Sequence, residues 1–112
     1  CTIERKRKYW SDIVLALDAI DQHLVGIDTY EAYASAPTVK DAVERRLITI
    51  GEAVTKLLQL DPDDTFADAE KIRAFRNRLV HSYDSTEDTM VWAIIRNHLL
   101  PLRAIAELRA RG

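Results

Sequence analysis

The sequence predicts an all-α fold, an antiparallel up-and-down bundle of four long helices plus one short helix. Apolar residues recur at helical spacing almost throughout. β-Branched residues do not alternate with polar ones, so no strand is expected. Only three glycines and three prolines interrupt the 112 residues. Long helices joined by short loops pack as antiparallel neighbours. With no internal repeat, linker or low-complexity tract, residues 1–112 read as one helical domain. A chain of this length buries a small core that a partner subunit would enlarge.

The first helix is expected from Ile3 to Leu24, where Trp10, Ile13, Val14, Leu17, Ile20 and Leu24 form one buried stripe and Gly26 ends it. A short helix, Thr29 to Ala34, follows, capped by Asp28. The third begins near Pro37 with Thr38 and Asp41 spaced as a capping box. It carries Val39, Val43, Leu47, Ile50, Val54 and Leu57, and ends near Leu60. After the break "DPDDT", the fourth starts at Thr65, buries Ile72, Phe75 and Leu79, and ends between Val80 and Tyr83. Ser85 and Asp88 open the fifth, with Met90, Val91, Ile94, Ile95, Leu99, Leu102, Ile105 and Leu108 on its stripe. Pro101 sits inside that pattern and should kink or break it.

The composition is that of a globular chain, with 47% hydrophobic and 30% charged residues. A net charge of −2 argues against a broad nucleic-acid-coating surface, so any anion site must be local. The single cysteine, Cys1, cannot close an internal disulfide, which fits a reducing cytoplasm. No apolar run has the ~20 residues of a membrane span, so no membrane partner is expected. The numbering opens at Cys1 rather than at a methionine, as if the natural start were trimmed. The basic "RKRK" near the start reads as a solvated helix end, with a nucleic-acid tether as the other reading.

One stretch is too polar to be explained by packing: "RNRLVHSYD", Arg76 to Asp84. On an ideal helix Ile72, Phe75 and Leu79 share one arc, flanked by Arg76 and Tyr83. Asn77 and His81, spaced i, i+4, share another side. Arg76 and His81 lie about 140° apart and diverge on a straight helix. Either the helix ends near His81 and the imidazole swings round, or a second copy of the chain supplies the opposing residues across a two-fold axis. The residue types suit phosphodiester cleavage. A guanidinium fork matches phosphate oxygens, and an imidazole takes and gives protons near neutral pH. RNA brings its own nucleophile, the 2′-hydroxyl, so a proton shuttle and charge stabilisation suffice. That chemistry demands no metal and no cofactor, and His23, His81 and His98 show no ligand spacing.

The pattern R-x-x-x-x-H-x-Y, formed by Arg76, His81 and Tyr83 with Asn77 directly after the arginine, resembles the HEPN superfamily. More narrowly it resembles the HepT branch, the toxin half of HepT/MntA toxin–antitoxin pairs. "VERRLITIGEAVTKL", Val43 to Leu57, is similar to that branch's third-helix pattern with its step Gly51-Glu52-Ala53. "IRAFRNRLVHSY" and "MVWAII" also sit at the expected places. The resemblance spans about Lys8 to Leu108. It implies a homodimeric bundle with the motif lining a cleft at the dimer interface, and a metal-independent endoribonuclease toxin acting on RNA in the cytoplasm. Arg76 would hold the scissile phosphate, His81 would be the acid/base and Asn77 would support them. Tyr83 would receive AMP from a cognate MntA-like nucleotidyltransferase antitoxin, filling and neutralising the cleft.

This chain departs from that pattern at Ser82, where many relatives carry glycine, and at Asp84-Ser85-Thr86, where they often carry an aromatic-glycine turn. The extra acid motivates a second reading, a non-catalytic module that binds a nucleotide or the transferase. A third is a purely structural helical dimer. Arg73, Arg78 and Arg46 either extend a phosphate track or, for Arg73 and Arg78, pair with Glu70, Asp68 or acids of the fifth helix. Arg45 competes with Arg46 for reach into the cleft. Glu52 is expected to fix an arginine by a bidentate pair inside the bundle, Trp10 and Trp92 to lie in the core, and His23 and His98 to sit at the surface or at helix ends. Glu87 and Asp88 fill the first turn of the fifth helix, an end that would otherwise attract an anion.

Overall fold

The computed structural model describes residues 1–66, 68–81 and 88–112. The expectations on Ser82, Tyr83, Asp84-Ser85-Thr86 and Glu87 therefore lie outside the described residues. Among those described there are six helices and no strand: α1 Thr2–His23, α2 Tyr30–Ala34, α3 Pro37–Leu60, α4 Ala69–His81, α5 Asp88–Asn97 and α6 Leu99–Arg111.

Helix α1 is the spine, packing against both α3 and α6. Its stripe buries Trp10, Ile13, Leu17 and Ile20, while Val14 and Leu24 are partly covered. The helix ends at His23. The chain then turns through Gly26 at φ +82°, a left-handed conformation that favours glycine. Helix α3 runs against α1 in the opposite direction: the Lys6 ammonium near the start of α1 meets the Asp61 carboxylate past the end of α3 at 3.1 Å. Helix α6 also runs opposite to α1. Arg103 reaches Asp18 at 2.8 Å and Asp21 at 2.6 Å, while Arg109 lies over the Trp10 ring. Such exposed pairs add little stability singly, so they orient rather than hold the helices. The core is apolar: Val43, Leu47, Ile50, Val54 and Leu57 of α3 meet the α1 stripe, with Ile72 and Phe75 of α4, Val91 of α5 and Leu102 of α6 closing it.

Several local expectations are corrected. Thr29, not Asp28, caps α2, its hydroxyl accepting from the Ala32 N–H at 3.1 Å. The capping box at Thr38 does not form. Pro37 already occupies the first helical turn, where its missing N–H costs nothing, and Ala36 stands at the cap position. Helix α4 starts at Ala69 rather than Thr65, because Phe66 is instead drawn into the core edge-to-face against Trp10, ring centroids 4.9 Å apart. The chain then enters α4 through Asp68 at φ +60°.

The expected fifth helix is two. Pro101 cannot donate to the carbonyl of Asn97 four residues back, and its ring crowds that group; α5 accordingly ends at Asn97 and α6 begins at Leu99. The break resets the stripe: Leu99, Leu102 and Ala106 are buried. Leu108, about 200° round from Ala106, is 62% exposed. Trp92 is only partly buried, stacked on Tyr33 with centroids 5.5 Å apart, and Tyr33 is a core residue the periodicity did not single out.

Candidate functional site

Helix α4 is helical without interruption from Ala69 through His81. Ile72 and Phe75 face the core and Leu79 lies partly against it. This fixes the other side chains by rotation. Arg76, one residue past Phe75, falls at the edge of the buried arc and packs across α3, whereas Asn77, Arg78 and His81 are exposed.

The seat of Arg76 is made by a missing side chain. A Cβ built on Gly51 in the middle of α3 would lie 2.2 Å from the Arg76 Cβ and 2.5 Å from its Cγ. Only glycine admits the arginine stem there. A helix-interior glycine costs about 1 kcal/mol relative to alanine, so the close approach of α4 has a measurable offset to overcome. The stem lies in this notch and the guanidinium emerges at its rim, where Arg76 retains 29% side-chain exposure. Its Nη1 donates to Asn77 Oδ1 at 3.0 Å. Its Nη2 lies 3.5 Å from Glu52 Oε2, an ion pair longer than a hydrogen bond. Its Nε–H is buried and has no hydrogen-bond partner among the described residues. The permanently charged fork emerges at the rim with its Nη2 only weakly engaged, so that end can receive an anionic oxygen.

Glu52 does not make the expected bidentate pair inside the bundle. Its side chain is 52% exposed and a single oxygen approaches Arg76. The position after Gly51 lies about 100° round α3 from the buried face, so it points along the rim.

The remaining candidates separate. His81 is the last residue of α4 and is exposed. Helical geometry up to that point sets it about 140° round from Arg76, and α4 ends at His81 itself, within the range expected. Tyr83 lies outside the described residues. Arg73 pairs with Glu70 at 2.7 Å, the alternative to a phosphate-track role. Arg78 is exposed and has a partner of its own. Arg45 and Arg46 are both exposed on α3. His98 sits at the α5–α6 junction, its Nδ1 2.6 Å from Asp68 Oδ2, and tethers that junction to the start of α4. Among the described residues no group of three or more His, Cys, Asp or Glu side chains is placed to hold a metal ion. Among the described residues no helix is long and apolar enough to cross a membrane.

A second polar cluster lies where α2, α3 and α5 meet. Lys40 pairs with Asp88 at 3.0 Å. Burial, and then the carboxylates of Asp88 and Asp41, push the Glu44 carboxyl above the usual range, with Lys40 opposing. The Tyr33 phenol, fully buried beside these acids, is pushed strongly upward, chiefly by burial, and its hydroxyl has no partner among the described residues.

What sequence reasoning missed is the notch. The general signal was available, since a glycine inside a strong helical pattern usually has a packing reason.

No curated protein and no solved structure matches the chain. One family model does, described as "Ribonuclease HepT-like", over residues 13–108. That span takes in α1 from its first fully buried isoleucine, all of α2 to α5, the Gly51–Arg76 notch, and α6 to Leu108. The chain belongs to the HepT-like ribonuclease family of the HEPN superfamily.

Proposed function

We propose that this chain is a metal-independent endoribonuclease toxin of a type VII-like toxin–antitoxin pair. In this reading Arg76 grips the scissile phosphate and stabilises the charge that builds on it. His81 takes the proton from the 2′-hydroxyl and returns one to the leaving 5′-oxygen. Asn77 holds the guanidinium in plane through its 3.0 Å contact. The observation that carries the reading is the seat of Arg76: a half-buried arginine in a glycine notch, its Nη2 at the rim only weakly engaged by Glu52, within a chain of a ribonuclease family.

Since α4 holds Arg76 and His81 on diverging sides of one helix, the productive pair is formed between two copies. Arg76 of one and His81 of the other face a shared cleft about a two-fold axis. An MntA-like nucleotidyltransferase antitoxin neutralises the toxin by transferring AMP to Tyr83. The added phosphate and nucleotide would fill the cleft and occupy its arginine.

The test is cleavage of labelled RNA in the presence of a chelator by wild type, Arg76→Ala and His81→Ala. Loss of either group should lower the rate by ~10²-fold or more. Equal cleavage by all three would place the chemistry elsewhere. A second reading, a non-catalytic module that binds a nucleotide or the transferase, is motivated by the acid Asp84 that follows Tyr83 in the sequence and weakens affinity for RNA. It predicts tight nucleotide or transferase binding by a protein that leaves RNA intact.

A further inference from the structure

Beside the Arg76 notch, on the other flank of Glu52, lies a hollow of about 300 Å³ between α1 and α3. Its walls are Tyr9 and Asp12 of α1 and Thr49, Glu52, Ala53 and Lys56 of α3. It sits at the lower end of the range for small-molecule sites, a size suited to one nucleobase rather than a larger ligand. The composition is mixed: one aromatic ring, two carboxylates, one hydroxyl and one ammonium. The Asp12 carboxylate is also held 2.9 Å from Lys8, and the Thr49 hydroxyl donates to the Arg45 carbonyl at 3.2 Å, leaving its lone pairs as acceptors. Glu52 alone belongs to both places, lining the hollow and standing 3.5 Å from the Arg76 guanidinium.

We propose that this hollow is a base subsite for a guanine nucleotide of the RNA adjoining the phosphate held by Arg76. The proposal rests on the ribonuclease reading of that arginine. A carboxylate offers two parallel acceptors. Guanine alone among the four bases presents two adjacent donors, N1–H and the 2-amino group, on its pairing edge. Adenine and cytosine set an acceptor beside their amino group, and uracil flanks its N3–H with two carbonyls, so each places a lone pair against the carboxylate. Single-stranded RNA is read in this way, by bonds to the pairing edge of an unstacked base packed against an aromatic side chain. Tyr9 supplies that ring, and Lys56 on the same wall would meet the RNA backbone.

The arrangement also resolves the awkward placement of a carboxylate at the phosphate-binding arginine. When guanine enters, Glu52 exchanges its long contact with Arg76 for two short bonds to the base. Arg76 exchanges Glu52 for the phosphate. Both groups then make short bonds, whereas an RNA without guanine at this position leaves the half-exposed Glu52 to water and forgoes the two bonds to the base.

The experiment is an amide-resolved NMR titration of the full chain with 5′-GMP, 5′-IMP and 5′-AMP, repeated on Glu52→Gln and Arg76→Ala. The expected result is that GMP shifts the Tyr9, Thr49 and Ala53 signals and binds roughly tenfold or more tightly than AMP, the discrimination of one bidentate pair. IMP, lacking the 2-amino group, should fall between. Glu52→Gln should erase the preference, whereas Arg76→Ala should weaken all three ligands and keep their order. Equal binding of GMP and AMP, or GMP shifts confined to other residues, overturns the proposal. If GMP binds as described but no RNA is cut, the ribonuclease reading fails and the guanine site stands.

Discussion

Replacing Gly51 with alanine tests whether the notch really seats the arginine. In an ordinary helix interior Gly→Ala stabilises by about 1 kcal/mol. Here the new Cβ would lie 2.2 Å from the Arg76 Cβ. Carbon atoms settle near 3.5 Å or beyond, so the gap must open by about 1.3 Å. The 2.2 Å neighbour sits at the root of the Arg76 side chain and the next, at 2.5 Å, is its Cγ, so no flexible tip can swing aside and α4 itself must shift. Such overpacking costs about 1–3 kcal/mol. Against the propensity gain, a net loss of roughly 1 kcal/mol remains, or about 4 °C in melting temperature for a chain of this size. The accompanying displacement of the guanidinium should lower RNA cleavage by ~10²-fold. Urea unfolding followed by circular dichroism, with cleavage of labelled RNA in parallel, reads both. In an Arg76→Gly background the clash partner is gone, and the same Gly51→Ala change should then stabilise, a coupling that a double-mutant cycle isolates. A Gly51→Ala chain as stable as wild type and fully active would refute the seat.

Two further predictions concern the cluster at α2, α3 and α5. Tyr33→Phe removes a buried hydroxyl that lacks a partner among the described residues and should stabilise the chain by about 1 kcal/mol, a rise that thermal melts would detect; a fall would show that the hydroxyl is satisfied. Glu44 has its folded carboxyl raised by burial, then by Asp88 and Asp41. Its contribution to stability is therefore full in acid and is lost as pH rises through that raised value. Glu44→Gln should melt higher than wild type near neutral pH, with the advantage shrinking towards about pH 4. A difference independent of pH would contradict the assignment.

The fold was largely legible because burial of an apolar stripe dictates helix positions, and stripes such as Val43-Leu47-Ile50-Val54-Leu57 are unambiguous. The division at His98 followed from the chemistry of Pro101. Legibility failed where a distant partner decides the outcome. Phe66 leaves the helical path for Trp10, moving the start of α4, and Tyr33 is buried by Trp92. Caps failed because neighbouring residues, Asp28 and Thr29, are equally good candidates locally, and only the turn geometry chooses Thr29.

At the candidate site, residue type and spacing single out Arg76, Asn77 and His81 as candidates. A glycine inside the α3 pattern signals a close approach, but that Arg76 fills it depends on which face of α3 meets α4. The rim position of Glu52 could not be read either; an inward bidentate pairing would have reversed it. The divergence of Arg76 and His81 is visible from helical geometry, and it motivates the proposal that the working pair is completed between two copies.

Complementation tests that proposal directly. Arg76→Ala and His81→Ala chains, each inactive alone, are co-refolded and assayed for RNA cleavage in a chelator. If the arginine of one copy works with the histidine of another, half of randomly paired dimers are mixed and each restores one intact site of two, so about a quarter of wild-type activity should return. A pool no more active than its separate components would contradict a cleft shared between two copies.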